Sequence, residues 1–398
     1  MLKRIGCRLF QAGMHLGAKG LPWRSSEIRW GTRRLPEVLR ECGSKRPLVV
    51  TGPNLYRRGI AGEALRALDA EKWRYGLFCE VENDPSEKTV ERICESYRKG
   101  ECDGIVAIGG GSPMDAAKAA AARIARPEKS LAQMEGILKV RRKIPPLIAI
   151  PTTAGTGSET TIAAVISQDK THRKVAISDL CLIPRFAILD EELTIGLPPQ
   201  TTAQTGLDAL THAVEAYLCV LNNPPANRAM AEGAVREIFH FLGQAVANGA
   251  DREARKAMLL ASYRAGCAFT RSGVGNVHAL AHALGGKYGI AHGLANAVLL
   301  PLVLEDYGSR VHKRLARLAD VAGIPGKGDA PARAAAFIHA VREENQKLGI
   351  PDRLECIREE DIPEMADWAE REANPLYPVP VIYDRERFSA LLRRAKEG

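Results

Sequence analysis

Five residues in the second half of the chain carry side chains able to bind a metal. Asp208 and His212 are four apart in a stretch with helical periodicity, so both face one side of a helix. His278, His282 and His292 follow within fifteen residues of one another, and with His212 they make four of the chain's nine histidines. One carboxylate with three imidazoles makes a shell suited to a divalent cation, and Fe²⁺ or Zn²⁺ would each accept three nitrogens and one oxygen. A lone histidine on a helix is more often packed or surface-lying than a ligand. An Asp-His pair followed by a histidine trio is harder to read that way. The metalloprotease helix signature is absent, because Ala279 rather than a glutamate follows His278.

Two loops in the first half have the composition of a nucleotide-binding surface. Gly109-Gly110-Gly111-Ser112-Pro113-Met114-Asp115, with Lys118 beyond it, follows an apolar run at 104–108 and precedes an Ala-rich helix. Ser112 is expected to cap that helix, with Pro113 at its first position and Asp115 at its third. Glycines admit a phosphate to the backbone, and a helix N-terminus favours negative charge. The spacing is not the Gly-x-Gly-x-x-Gly fingerprint, and alone it reads equally well as a tight strand-to-helix turn. Pro151-Thr152-Thr153-Ala154-Gly155-Thr156-Gly157-Ser158-Glu159 follows the apolar run 147–150. It therefore also lies at a strand's C-terminal end, the edge where open α/β sheets bind ligands.

The elements that must position these residues change character along the chain. Strands are expected at 48–51, 76–79, 104–108 and 147–150, with helices near 59–71, 86–99 and 113–126. That alternation predicts a parallel sheet with helices on both faces. Residues 162–166 and 174–178 flank the polar turn Gln168-Asp169-Lys170 and read as a hairpin. After Pro198-Pro199 the strand signal disappears, and helices are expected around 201–221, 226–247, 252–271, 276–286 and 292–307. Further helices are expected near 309–322, 330–348 and 361–372. Ahead of the sheet, Leu2, Ile5, Leu9 and Leu16 fall near helical spacing with Lys3, Arg4 and Arg8 between them. Residues 1–18 thus read as a basic amphipathic helix that docks by its apolar stripe on its own protein or a second subunit. Contact with a membrane surface and a transit peptide are the alternatives for this segment, which has no acid before Glu27.

The order and spacing of Gly109–Ser112, Pro151–Glu159, Gly206-Leu207-Asp208-Ala209-Leu210-Thr211-His212 and the segment from His278 to Gly293 resemble the iron-containing alcohol dehydrogenase family, from about Leu35 onward. The resemblance implies an α/β nicotinamide-cofactor-binding domain with a parallel sheet over 35–190. It implies an all-α metal and substrate domain over 191–398, leaving 1–34 as a basic N-terminal extension. It also implies that Asp208, His212, His278 and His292 hold the metal, and that His282 lines the active site and relays a proton. Gly110, Gly111 and Ser112 would meet the pyrophosphate, with Thr152, Thr153 and Thr156 near the nicotinamide half. Asp115 and Lys174 belong to the same cofactor set, and Lys118 to the same motif. The implied reaction is reversible hydride transfer between NAD(P)H and a small alcohol or aldehyde, with the metal as Lewis acid. Many NAD-using members place an aspartate where Gly52 stands. Its carboxylate would bind the adenosine ribose and repel a 2′-phosphate. With Gly52 here, and Asn54, Arg57 and Arg58 as donors, NADP is expected in preference to NAD.

Glycerol dehydrogenase- and dehydroquinate synthase-like enzymes share the superfamily, but the Asp208/His212 and His278/His292 arrangement resembles the alcohol dehydrogenases better. A binding protein with an idle site is argued against by the intact ligand set. The formal charge of +9 is concentrated in residues 1–58, where thirteen Lys/Arg face three Glu, yet no aromatic-interleaved basic module accompanies it, so no nucleic-acid partner is expected. No apolar run reaches the roughly 18 residues of a membrane span. The nine cysteines form no Cys-x-x-Cys pair and read as reduced thiols of a cytoplasmic protein. A homo-oligomer, dimer or larger, is expected.

Overall fold

The computed structural model describes residues 2–169 and 173–398, so Lys170 of the expected hairpin turn lies outside the described residues. The chain divides into two compact units: Pro22–Ile195, and Gly196–Gly398 joined by the residues up to Leu21.

The chain opens with α1 (Leu2–Lys19), which belongs to the second unit. The first unit then runs β1 (Glu27–Trp30), α2 (Leu35–Cys42), β2 (Pro47–Val50), α3 (Pro53–Arg57), α4 (Gly62–Ala70) and β3 (Gly76–Phe78). It continues with α5 (Glu87–Lys99), β4 (Gly104–Gly109), α6 (Gly111–Ala125), α7 (Leu131–Met134), β5 (Gly136–Ile137) and β6 (Leu147–Pro151). The hairpin β7 (Ala163–Ser167) and β8 (Lys174–Ser178) precedes β9 (Phe186–Leu189).

Six of these strands form one parallel sheet in the order β1-β9-β6-β4-β2-β3. Successive side chains of a strand point to opposite faces, and both faces here are apolar. Leu48, Val50, Ile105 and Ala107 join the core under α5 and α6, whereas Val49, Val106 and Ile108 join the core under α2 and α4. Burial on both sides explains why these strands read as unbroken apolar runs.

Two departures from the sequence reading concern residues 1–34. They are not one extension: α1 belongs to the helical unit, and residues 27–30 form β1 at the sheet edge, with Glu27 opposite Phe186. An edge strand buries only part of itself, so Glu27-Ile28-Arg29-Trp30 carries no apolar run. The first strand of this unit is therefore β1, not the one beginning near Leu48. The second departure is the face by which α1 docks. Cys7 and Gln11 are buried; the Gln11 amide donates to the Pro375 and Tyr377 carbonyls, and the Arg8 guanidinium donates to those of Val379 and Pro380. Lys3 pairs with Glu370 and Arg4 with Asp384. Around a small apolar contact of Cys7 with Val379 and Ile382, the surface that α1 meets is a rim of carbonyl and carboxylate acceptors, which need donors, so the face bearing Arg8 and Gln11 turns inward. Ile5, Leu9 and Leu16 point outward, Leu9 being 69% exposed. The side chain of Leu2 lies outside the described residues.

The second unit consists of α1 and the helices α8 (Pro199–Leu218), α9 (Pro225–Ala247), α10 (Arg252–Ser272), α11 (Asn276–Tyr288) and α12 (His292–Tyr307). It is completed by α13 (His312–Val321), α14 (Ala330–Lys347), α15 (Ile362–Ala373) and α16 (Arg385–Glu397). Every residue of α8 from Gly206 to Leu218 is buried, which marks a central helix, and α9, α10 and α12 pack on it. Among the described residues, no helix is long and apolar enough to cross a membrane.

Candidate active site

The central helix α8 carries Asp208 and His212 on one face, α11 carries His278 and His282 one turn apart, and His292 is the first residue of α12. A close approach of backbones sets the position of His292. A Cβ added to Gly293 would lie 2.1 Å from the Gln204 carbonyl oxygen, so only glycine lets the start of α12 meet α8 this closely.

These elements bring Asp208, His212, His278 and His292 together, with one potential ligand atom from each lying within 4.8 Å of the others. Asp208 Oδ1 is 3.5 Å from His292 Nε2 and 3.9 Å from His278 Nε2, and Asp208 Oδ2 is 4.0 Å from His212 Nδ1. Atoms bonded tetrahedrally to one ion at about 2.1 Å stand roughly 3.4 Å apart, so the set is close to the size of a cation shell. Its chemistry fits as well. Asp208 Oδ1, His278 Nε2 and His292 Nε2 all converge on one donor, the Asn296 amide nitrogen, at 2.7, 3.3 and 3.1 Å. Burial and the neighbouring imidazoles hold His278 well below the usual histidine range, which keeps its ring neutral and able to ligate. The His212 ring stacks on Phe269, centroids 4.2 Å apart, which fixes its plane.

His282 stands beside this group rather than in it. Its ring stacks on that of His292 at 5.1 Å, and its Nδ1 is 2.6 Å from Glu372 Oε1, which also accepts from the Tyr377 hydroxyl at 2.6 Å. A histidine held at one nitrogen by a carboxylate has its other nitrogen oriented for proton exchange.

In the sheet unit, β4 and β6 pair with Gly109 opposite Pro151, so the glycine turn and the threonine loop leave the sheet side by side. Thr152 N donates to the Gly109 carbonyl at 3.0 Å, and Gly110 faces Thr153 while Gly111 faces Thr156. Gly52 follows the neighbouring strand β2. The chain runs from β2 outward to β3 and returns to β4 on the other side of β2, so these three segments flank a topological switch point, the usual ligand crevice of such sheets. Ser112 does not cap α6. The helix begins at Gly111 with Gly110 as its N-cap and has no side-chain cap, so its first amides remain available to an anion. Asp115 accepts from Val165 N, tying α6 to β7, and Lys174 on β8 pairs with Asp84. Asn54 is exposed on α3 and accepts from Arg57. Lys118 is fully buried and donates to Thr161 and Ala163, so it serves as a strut between α6 and the loop after Glu159; burial pulls its ammonium down to about 8.

The sequence model of iron-containing alcohol dehydrogenases matches residues 27–191, and that of the C-terminal region of the Fe-containing alcohol dehydrogenase family matches residues 202–396. The chain belongs to the iron-containing alcohol dehydrogenase family. It is 41% identical over 303 residues to long-chain-alcohol dehydrogenase 1 of Geobacillus thermodenitrificans, covering 75% of each chain. It is 36% identical over 338 residues to NAD-dependent methanol dehydrogenase of Bacillus methanolicus, covering 84% of this chain and 88% of that one. The crystal structure of a 1,3-propanediol oxidoreductase superposes with a TM-score of 0.90 at 34% identity, covering 94% of this chain and 99% of the other. Family membership makes the protein an NAD(P)-dependent oxidoreductase acting on alcohols, a metal-dependent alcohol dehydrogenase with an α/β N-terminal and an all-α C-terminal region.

Several residues around the group escaped the sequence reading. Glu215 lies three residues beyond His212 and Asn296 four beyond His292, so each shares a helical face with a candidate ligand. That spacing was the available signal. Phe269, Glu372 and Tyr377 lie on other segments, and no local pattern points to them.

Proposed function

We propose that Asp208, His212, His278 and His292 hold one divalent cation, Fe²⁺ or Zn²⁺, and that this centre oxidises small alcohols and reduces the corresponding aldehydes with NADP or NAD. The observation that carries the reading is the convergence of one carboxylate and three imidazoles within 4.8 Å from three helices, Asp208, His212 and His278 being buried and His292 half-buried. A cation bound there supplies Lewis acidity toward the substrate oxygen, and a bound nicotinamide supplies or accepts the hydride. Asp208 contributes the one negative charge of the set and the histidines neutral nitrogen donors, so the shell leaves a net positive field for an oxygen that gains charge. Intrinsic affinity favours zinc over iron at such a shell.

His282 is assigned the proton relay, oriented by Glu372 through Nδ1. In the sheet unit, the uncapped amides of α6 at Gly110, Gly111 and Ser112 are assigned the pyrophosphate, Thr152, Thr153 and Thr156 the nicotinamide half, and Asp115 and Lys174 polar contacts beside them. Gly52 and Asn54 are assigned the adenosine ribose, with NADP preferred because no carboxylate stands at the end of β2. The outward stripe of Ile5, Leu9 and Leu16 on α1 supports assembly into a homo-oligomer, and nine cysteines outside any disulfide suit a reducing, cytoplasmic setting.

His292→Ala tests the ligand reading. The variant should lose aldehyde reduction and bind metal weakly while still binding cofactor. Undiminished activity in a variant shown to be metal-free would refute it.

A further inference from the structure

Glu215 lies on the buried stretch of α8 and is itself buried, yet it coordinates nothing in the candidate metal set. It reaches instead to the start of α11. Its Oε2 accepts from Gly275 N at 2.7 Å and stands 2.6 Å from His278 Nδ1, and its Oε1 accepts from Val277 N at 2.8 Å. Two amides at the beginning of α11 thus find their acceptor on another helix. An ionised carboxylate offers only acceptors, so with Glu215 ionised the His278 contact is made by an Nδ1–H donor. That places the ring's lone pair on Nε2, the nitrogen 3.9 Å from Asp208 Oδ1 and 3.3 Å from the Asn296 amide.

We propose that Glu215 is a positioning residue that fixes both the tautomer and the orientation of His278, and so sets metal affinity without touching the metal. Gly275 is part of the device. A Cβ there would lie 2.6 Å from Glu215 Oε1 and 2.9 Å from its Cδ, so any side chain would push the carboxylate away from His278. The same carboxylate joins α8, which bears Asp208 and His212, to α11, which bears His278, so one group orients a ligand and ties together the helices that carry three of the four. Removing partners of this kind from ligating histidines costs about 10–100-fold in metal affinity.

The proposal rests on His278 being a ligand, and the test separates the two claims. Chelator-stripped wild type, Glu215→Gln and Gly275→Ala are titrated with Zn²⁺ and with Co²⁺, whose visible bands report ligand geometry. Folding of each stripped protein is followed by circular dichroism and thermal unfolding. Glu215→Gln cannot satisfy three donors with one oxygen. Gly275→Ala keeps the charge and displaces it. Both should bind Zn²⁺ about 10–100-fold more weakly than wild type with altered Co²⁺ bands. Variants that are destabilised but bind Zn²⁺ as tightly as wild type, with unchanged Co²⁺ bands, would reduce Glu215 to a helix cap and overturn the proposal. Failure of wild type to bind either ion would overturn the ligand reading first. Should neither variant fold, ¹⁵N-imidazole spectra of stripped wild type decide: a protonated Nδ1 and bare Nε2 on His278 support the proposal, and the opposite tautomer overturns it.

Discussion

Substituting alanine for Gly293 should damage the metal centre although Gly293 binds nothing. Its new Cβ would lie 2.1 Å from the Gln204 carbonyl oxygen and 2.7 Å from the Gln204 carbonyl carbon, where ordinary contact begins at 3.4 Å. The obstacle is backbone, so no rotamer change relieves it. The start of α12 must retreat from α8 by about 1 Å, taking His292 with it. Overpacking of this kind costs about 1–3 kcal/mol of stability, and a 1 Å misplacement in a catalytic site costs on the order of 10²-fold in rate. Gly293→Ala should therefore unfold at lower temperature, bind Zn²⁺ more weakly and lose about a hundredfold in kcat/KM for aldehyde reduction. Gly286→Ala on α11 is the control: nothing lies within 4 Å of its added Cβ, and alanine in a helix interior gains roughly 0.5–1 kcal/mol. The assays are isothermal titration with Zn²⁺, differential scanning calorimetry and steady-state kinetics. Wild-type metal affinity and rate in Gly293→Ala would refute the claim that this contact sets the position of His292.

Three further outcomes are expected. His282→Ala should keep its metal while turnover falls by roughly 10²–10⁴-fold; an unchanged rate and pH profile would leave His282 a packing residue. Gly52→Asp should shift preference toward NADH by about ten- to a hundredfold, the worth of one charge-assisted contact. Its Cβ must be accommodated 3.1 Å from the Val81 carbonyl, and kcat/KM with both cofactors measures the shift. A wild type that already prefers NADH strongly, unaltered by the substitution, would contradict this. Glu159 is buried, and burial pushes its carboxyl up to about 7 from 4.5. Between those values the folded protein keeps a proton that the unfolded chain has released, so stability falls as pH rises and the penalty is complete above about pH 7. The stability advantage of Glu159→Gln should accordingly be smallest near pH 4, grow to pH 7 and stay constant beyond. Denaturant midpoints of stripped protein measure it, and a pH-independent difference would contradict the burial argument.

What the sequence disclosed follows from which interactions are local. Asp208, His212, His278 and His282 were legible because helical spacing places them on shared faces, and β4 and β6 because strands buried on both sides are written as apolar runs. Edge strand β1 was not, since Glu27 and Arg29 look like loop residues until β9 lies beside them. The docking face of α1 was inverted because a hydrophobic stripe reports what a helix could bury, not the carbonyl rim at 375–380 that awaited it. Capping by Ser112 failed because the helix starts two residues earlier than Pro113, at Gly111. Glu215 and Asn296 had the right spacing, but glutamate and asparagine are too common on helices to be chosen without seeing their partners. Glu372, ninety residues from His282, had no local signal at all.

Anomalous X-ray diffraction from metal-loaded crystals, recorded on either side of the iron and zinc absorption edges, tests the central claim most directly. One strong peak is expected within about 2.3 Å of a carboxylate oxygen of Asp208, Nε2 of His278, Nε2 of His292 and a ring nitrogen of His212. A fully active protein with no peak there, or with its metal bound by other residues, would contradict it.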